Sequence, residues 1–386
     1  MLKKGYIEGF YGRLLDWQGR SMLLDTLSEL SMDFYIYGPK EDRFHRKDWQ
    51  ILYPKEILED LKNFQIKSDK LGIKTFIALS PNVSIKKNRK KELKSLEKKI
   101  GQLLSIGCKD FAIFFDDIDS LRDKELAQNQ SEVLRIVSET IESKKNTSLI
   151  FCPTVYCESF AKGSLVESEY LNVLSDEVPE EIPILWTGKE VVSKSIEDKH
   201  IVSLNKVIKN PVIIWDNYYA NDYCPNNFFI GPYKNRNISK KSAYGVGINP
   251  TGMPITDSIL LNQFSGTAKT EEILEKFNVP KGFNDLLPFF NGPFDKKPNM
   301  GNPSKIKETI KATMKLSEEW KSPLQLEWAT FLWKLSIDLN FLLKFKAKKN
   351  KQGKTSIQDK KKLEQWASQR YSTPLFNIIF EEKNKK

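Results

Sequence analysis

Short apolar runs recur along the first 265 residues, and no other feature limits the fold as tightly. Eight of them have the length and the β-branched or aromatic content of strands: residues 5–12, 33–40, 74–81, 110–117, 148–156, 183–188, 211–217 and 244–249. Helical periodicity fills most of the intervals. Pro54 opens one helix in its first turn, Ile57, Leu58, Leu61 and Phe64 form its apolar stripe, and Gly72 closes it. A second starts near Lys91, carries Leu93, Leu96, Ile100 and Leu103 on one face and stops at Gly107. Residues 120–143 and 189–207 predict two more. Strand then helix, repeated eight times, is the pattern of an α/β (β/α)8 TIM barrel. A doubly wound open sheet is the alternative, but no Gly-x-Gly-x-x-Gly follows the first strand.

The texture changes from residue 266. A helix is expected over 270–277, then a Pro/Gly-rich connector to about 303, helices over 305–320 and 324–345, a lysine-rich break over 346–361 and a last short helix. The expected organisation is therefore a barrel over 1–265, a helix and connector over 266–303, and a basic α-helical C-terminal region over 304–386. Residues 301–386 hold 18 Lys and one Arg against nine Asp and Glu, which accounts for ten of the eleven net positive charges. The barrel itself is close to neutral, so nucleic acid is not its expected partner. A basic tail could still meet an anionic polymer, or simply be a solvated helix face.

No run of apolar residues is long enough to span a bilayer. The four cysteines (Cys108, Cys152, Cys157, Cys224) lack zinc-like spacing. With no secretory leader legible, reduced thiols and a cytoplasmic location are expected. Two histidines, His45 and His200, are too few for a multi-histidine metal site.

The fourth run, Phe111-Ala-Ile-Phe-Phe-Asp-Asp, suits a strand buried on both faces, and it ends on adjacent carboxylates, Asp116 and Asp117. Neighbouring acids resist ionising together, which suits general acid work. A helix cap is the competing role for Asp117 or Asp119. Other strand ends are also polar: Glu8, Gly9 and Tyr11; Lys40, Glu41 and Asp42; Thr154 and Tyr156; Trp186 and Thr187; Trp215, Asp216, Asn217, Asn221 and Asp222; and Asn249. Carboxylates, amides and lysine bind hydroxyls, and indole or phenol rings flank sugar faces. A barrel should gather such groups at one mouth, which points to carbohydrate chemistry.

Taken in order, these motifs resemble glycoside hydrolase family 84, the β-N-acetylglucosaminidases that include protein O-GlcNAcases. The likeness rests on Ile7-Glu-Gly-Phe-Tyr-Gly12, Tyr37-Gly-Pro-Lys-Glu-Asp42 with His45, Arg46 and Trp49, Phe114-Phe-Asp-Asp-Ile-Asp119, Cys152-Pro-Thr-Val-Tyr-Cys157, Leu185-Trp-Thr-Gly188, Trp215-Asp-Asn217, Ala220-Asn-Asp-Tyr223 and Asn249-Pro250. It covers the barrel. The resemblance implies a retaining exo-enzyme that needs no metal or cofactor and uses the substrate's own acetamide as nucleophile through an oxazoline. It further implies that Asp116 holds the acetamido N–H and that Asp117 is general acid and then base. Gly9, Lys40, Asn217, Asp222 and Asn249 would hold sugar hydroxyls, and Tyr156 and Trp215 would shape the acetamido pocket. The implied partner is a glycoconjugate ending in N-acetylglucosamine. Leu14-Leu-Asp-Trp17 departs from the family's usual Pro-Trp, as do Glu41 and Gly38 from Asp and Ala. A glycan-binding barrel without catalysis, or a protein acting through its basic tail, are the alternative functions.

Overall fold

In the computed structural model the described residues are 2–81, 85–118, 121–142, 144–352, 357–370 and 372–379, with Asp119 outside them. The chain divides into two compact units, Met1–Tyr218 with Lys234–Pro254, and Tyr219–Tyr233 with Ile255–Lys386.

The first unit is a closed barrel of eight parallel strands: β1 (Lys3–Glu8), β2 (Phe34–Tyr37), β3 (Lys74–Leu79), β4 (Asp110–Phe114), β5 (Ser148–Cys152), β6 (Ile184–Trp186), β7 (Val212–Asp216) and β8 (Gly245–Ile248). Each pairs with its sequence neighbours and β8 closes on β1, with Lys3 opposite Gly245 and Gly5 opposite Phe34. All eight expected strands are present. Side chains alternate across the wall. Ile7, Ile36, Ala78, Phe114, Cys152, Leu185, Ile213 and Trp215 belong to one buried cluster inside it. A Cβ on Gly5 would lie 2.4 Å from the Phe34 ring, so glycine there is what lets Phe34 fill the barrel.

The surrounding helices are α1 (Trp17–Glu29), α2 (Lys55–Leu71), α3 (Ile85–Ser105), α4 (Lys124–Glu142), α5 (Glu169–Glu177) and α6 (Asp198–Leu204). Asp16 caps α1 by accepting from the Gly19 N–H at 2.6 Å, and Gly72, at φ 70°, ends α2 in the left-handed conformation. Pro54 sits at the N-cap rather than inside the first turn. The helix expected over 189–207 is confined to α6. Its N-terminal half is held open because Asn217 takes the Val191 carbonyl and Arg236 takes those of Ser193 and Lys194. Ile196–Glu197 pairs instead with Arg236–Asn237.

His45, on the segment between β2 and α2, is fully buried; its Nδ1–H donates to the Ala78 carbonyl at 2.8 Å and Nε2 has no partner. Burial, and then the charge of Lys40, push its pKa down to about 4. The unfolded chain takes up this proton near pH 6.5, so the stability tied to a neutral His45 is complete above that pH and is lost as pH falls towards 4. Between pH 7 and pH 5 the stability advantage of wild type over His45→Gln should shrink by ~2 kcal/mol, read from urea unfolding at the two values. Parallel losses in both proteins would refute this.

The second unit contains α7 (Pro254–Ser265, from Ile255 onward), α8 (Thr270–Lys276), α9 (Pro303–Glu318), α10 (Pro323–Gln352) and α11 (Ile357–Gln369). Its core is aromatic, with Phe228, Phe283, Phe290, Trp328 and Phe331 in mutual ring contact. Glu327 caps α7 through the Ile255 and Thr256 N–H groups. Helix α10 continues past the expected end at Phe345 through the lysines, which are good helix formers, and Lys346 donates to the Met300 carbonyl. Much of the expected lysine-rich break is therefore helical. Among the described residues, no helix is long and apolar enough to cross a membrane.

Candidate active site

The alternation of strand residues decides which polar groups meet at the barrel mouth. Five of the strand-end groups face away from it or serve the wall. Glu8 is buried on the outer side, where Arg20 of α1 pairs with it at 2.8 Å and the Tyr35 hydroxyl donates at 2.6 Å. Asp216 receives Arg236 through both oxygens, at 2.7 and 3.0 Å. The Trp186 indole N–H donates to His200 at 3.1 Å. Asp42 accepts from the Tyr37 and Tyr53 hydroxyls, and Thr154 donates to the Phe115 carbonyl at 2.7 Å. The expectation that all these groups converge is corrected for these five. For Glu8, Trp186 and Asp216 the reason is the pleat, in which only every second residue points inward, whereas Asp42 and Thr154 lie in the loops past β2 and β5.

The inward positions do assemble. Strand β4 ends at Phe114, before both acids, and Asp117 adopts φ 54°, a left-handed backbone that Asp tolerates better than most residues. The regular alternation is thereby broken, and one ammonium serves both carboxylates. Lys40 is ion-paired with Asp116 Oδ2, and its Nζ lies 3.9 Å from Asp117 Oδ2. The Lys40 side chain is only 2% exposed and lies 5.4 Å from the Phe114 ring centre. The two acids differ in setting. Asp116 is buried, and its Oδ1 has no hydrogen-bond partner, whereas the Asp117 side chain is 33% exposed.

Two phenols hold Asp117. The Tyr11 hydroxyl donates to Oδ2 at 2.5 Å and that of Tyr156 to Oδ1 at 3.3 Å. Burial, together with Asp117, raises the pKa of both phenols far above the usual value, so both remain donors. Tyr156 is steadied from behind by Phe160, at 5.0 Å between ring centres, over which Arg122 lies at 3.8 Å.

On the opposite wall the Gly9 N–H donates to Asn249 Oδ1 at 3.1 Å, and Asn249 Nδ2 donates to Asn217 Oδ1 at 2.9 Å. The Trp215 indole N–H reaches the same Asn217 oxygen at 2.9 Å, and its rings pack 5.2 Å from Phe114. A Cβ at Gly9 would fall 2.2 Å from the Trp215 ring, so a glycine is required by the indole lying across it. Gly9, Lys40, Asp116, Asp117, Tyr156, Trp215, Asn217 and Asn249 thus lie in the barrel unit. Asp222 belongs to the second unit, where its Oδ1 accepts from the Tyr223 N–H at 2.8 Å.

Two contributors have no role assigned by the sequence alone, although Tyr11 is one of the strand-end groups expected at the mouth. Tyr11 lay in the first-strand motif, but its grip on Asp117 depends on a loop geometry that no spacing reveals. Gln130 of α4 donates to Thr154 Oγ1 at 2.7 Å and so backs the Phe115 carbonyl, immediately before Asp116. Chemically the arrangement offers a sheltered carboxylate with one open acceptor, an accessible carboxylate able to give or take a proton, and amides and an indole on the facing wall.

A family profile described as beta-N-acetylglucosaminidase matches residues 4–280. Protein O-GlcNAcase of Rattus norvegicus and that of Mus musculus are each 35% identical to the chain over 237 residues, covering 60% of it. The chain spans about a quarter of the length of these relatives, 26% in each. A solved structure of a mutant O-GlcNAc hydrolase from Thermobaculum terrenum shares the fold, with a TM-score of 0.80, 22% identity and coverage of 99% of this chain and 93% of that one. The chain belongs to the β-N-acetylglucosaminidase family, glycoside hydrolase family 84.

Proposed function

We propose that this glycoside hydrolase removes terminal β-linked N-acetylglucosamine from glycoconjugates with retention, the substrate's acetamide oxygen attacking its own anomeric carbon. The observation that carries this reading is the buried Asp116, whose Oδ1 has no partner while Lys40 holds its other oxygen. An acetamido N–H would complete that oxygen, and the carboxylate would then stabilise the positive charge that builds on the amide as the oxazoline forms. Asp117 protonates the leaving oxygen and afterwards takes a proton from the water that opens the oxazoline. A retaining enzyme with its own nucleophile places two carboxyls about 5–5.5 Å apart on either side of the bond. Here the two acids are consecutive residues beside one ammonium, an arrangement better suited to an acid and an amide holder.

In this reading Gly9, Lys40, Asn217 and Asn249 bind the sugar hydroxyls, and Tyr156 and Trp215 wall the acetamido pocket. The relatives' names favour O-linked N-acetylglucosamine on protein as the substrate, and four buried cysteines without a disulfide suit a cytoplasmic setting. The test compares an aryl β-N-acetylglucosaminide with the aryl β-glucoside that lacks the amide. The first should be hydrolysed with the β-anomer released first, and the second at least about 10³-fold more slowly, since its nucleophile is missing. Comparable rates on the two substrates would refute the mechanism.

A further inference from the structure

Residues 38–54, between β2 and α2, contain no helix or strand, yet this segment presents Lys40 to both acids. It also presents Arg46, which lies 5.1 Å from the ring centre of Tyr11, the phenol that holds Asp117. Turns close within it, from the Asp42 N–H to Pro39, the His45 N–H to Asp42 and the Asp48 N–H to Arg43, and two side chains of α3 fasten it from outside. Lys99 of α3 has no exposed surface. Its Nζ donates to the Phe44 carbonyl at 2.9 Å and the Ile51 carbonyl at 2.5 Å, and lies 4.1 Å from the Tyr53 ring centre. One turn further along α3, Gln102 accepts from the Tyr53 N–H and donates to the Tyr53 carbonyl, both at 2.9 Å. The Tyr53 hydroxyl in turn donates to Asp42, two residues from Lys40.

We propose that Lys99 is a positioning residue for the acid pair, the internal cation around which residues 40–53 are wrapped so that Lys40 and Arg46 meet Asp116 and Tyr11. A lysine with no exposed surface is costly unless its donors are all engaged. Here the cost is offset by two carbonyls and a ring face, none of which touches the site directly. The groups facing it are Asp42 and Asp48 from the segment and Tyr53, itself beside Cys108. Burial lowers the pKa of Lys99 to about 8, with Asp42 and Asp48 opposing the shift. The fastening is therefore cationic at neutral pH and weakens as pH rises through that value.

This inference rests on the reading of Asp116 and Asp117 as the catalytic pair. The test measures kcat and KM on an aryl N-acetylglucosaminide from pH 6 to 9.5, in the full chain, together with melting temperature. Lys99→Met should lower kcat at least about tenfold with KM nearly unchanged, because misaligned acids are felt in the transition state. Lys99→Arg, which does not deprotonate in this range, should retain most of the activity at pH 7 and remove the alkaline decline expected of wild type near pH 8. Gln102→Ala, a milder cut in the same fastening, should lower kcat about threefold at constant KM. Normal kcat in Lys99→Met or Gln102→Ala despite lowered melting temperatures would reduce the network to a structural role and overturn the proposal. Coincident alkaline limbs for wild type and Lys99→Arg would overturn it as well. Full activity of Asp117→Ala on a methylumbelliferyl substrate, whose leaving group needs a proton, would instead overturn the underlying reading of the acids, whatever the Lys99 variants do.

Discussion

Asp117→Ala is expected to cleave a dinitrophenyl N-acetylglucosaminide within about tenfold of the wild-type rate, and a methylumbelliferyl or alkyl one about 10³-fold more slowly, within the range general acids supply. The contrast follows from where Asp117 sits. It is the exposed member of the pair, held by Tyr11 and Tyr156 and not committed to Lys40 at close range. A dinitrophenolate leaves without a proton, so only the later base-assisted step is affected. A poor leaving group needs the proton as the bond breaks. A plot of log kcat/KM against leaving-group acidity should therefore steepen in the variant. A uniform loss over the whole series would make Asp117 a structural residue and would remove the acid from the scheme.

Asp116→Asn is expected to lose about 10²–10³ in kcat on every leaving group, or roughly 3–4 kcal/mol of transition-state stabilisation. The amide keeps the shape of the carboxylate but not the charge that faces the developing oxazolinium. It also leaves Lys40 with Asp117, 3.9 Å away, as its remaining carboxylate. The expected leaving-group plot is parallel to that of wild type and displaced downward. A steepened plot here, together with a parallel one for Asp117→Ala, would exchange the two roles. The pair of plots tests the assignment more sharply than either loss of activity alone.

Much of this site was legible in the chain. The strands announced themselves because both their faces are buried, and the acids because they follow an uninterrupted apolar run. What the motifs could not show was the side of the wall each residue takes. Glu8 and Gly9 are neighbours in one signature, yet one pairs with Arg20 outside the barrel and the other lies beneath Trp215 within it. Nor could spacing show that Asp117 leaves the regular backbone, since a positive φ is set by the turn that follows β4. The helix misread over 189–207 failed for a related reason, because Asn217 and Arg236 lie far along the chain from the carbonyls they capture. Lys99 was invisible as a contributor, being one lysine among many on a helix where Lys90, Lys91, Lys94 and Lys98 face solvent.

The outward turn of Glu8 bears on how activity screens of this enzyme are read. Its carboxylate ties the first strand to the first helix through Arg20 and Tyr35, so neutralising it leaves a guanidinium sealed in the wall without its counter-charge. Such a variant is expected to lose turnover because fewer molecules hold their shape. A screen that counts product alone would rank Glu8 beside the proposed acids, although its carboxylate points away from the mouth that holds Asp116 and Asp117.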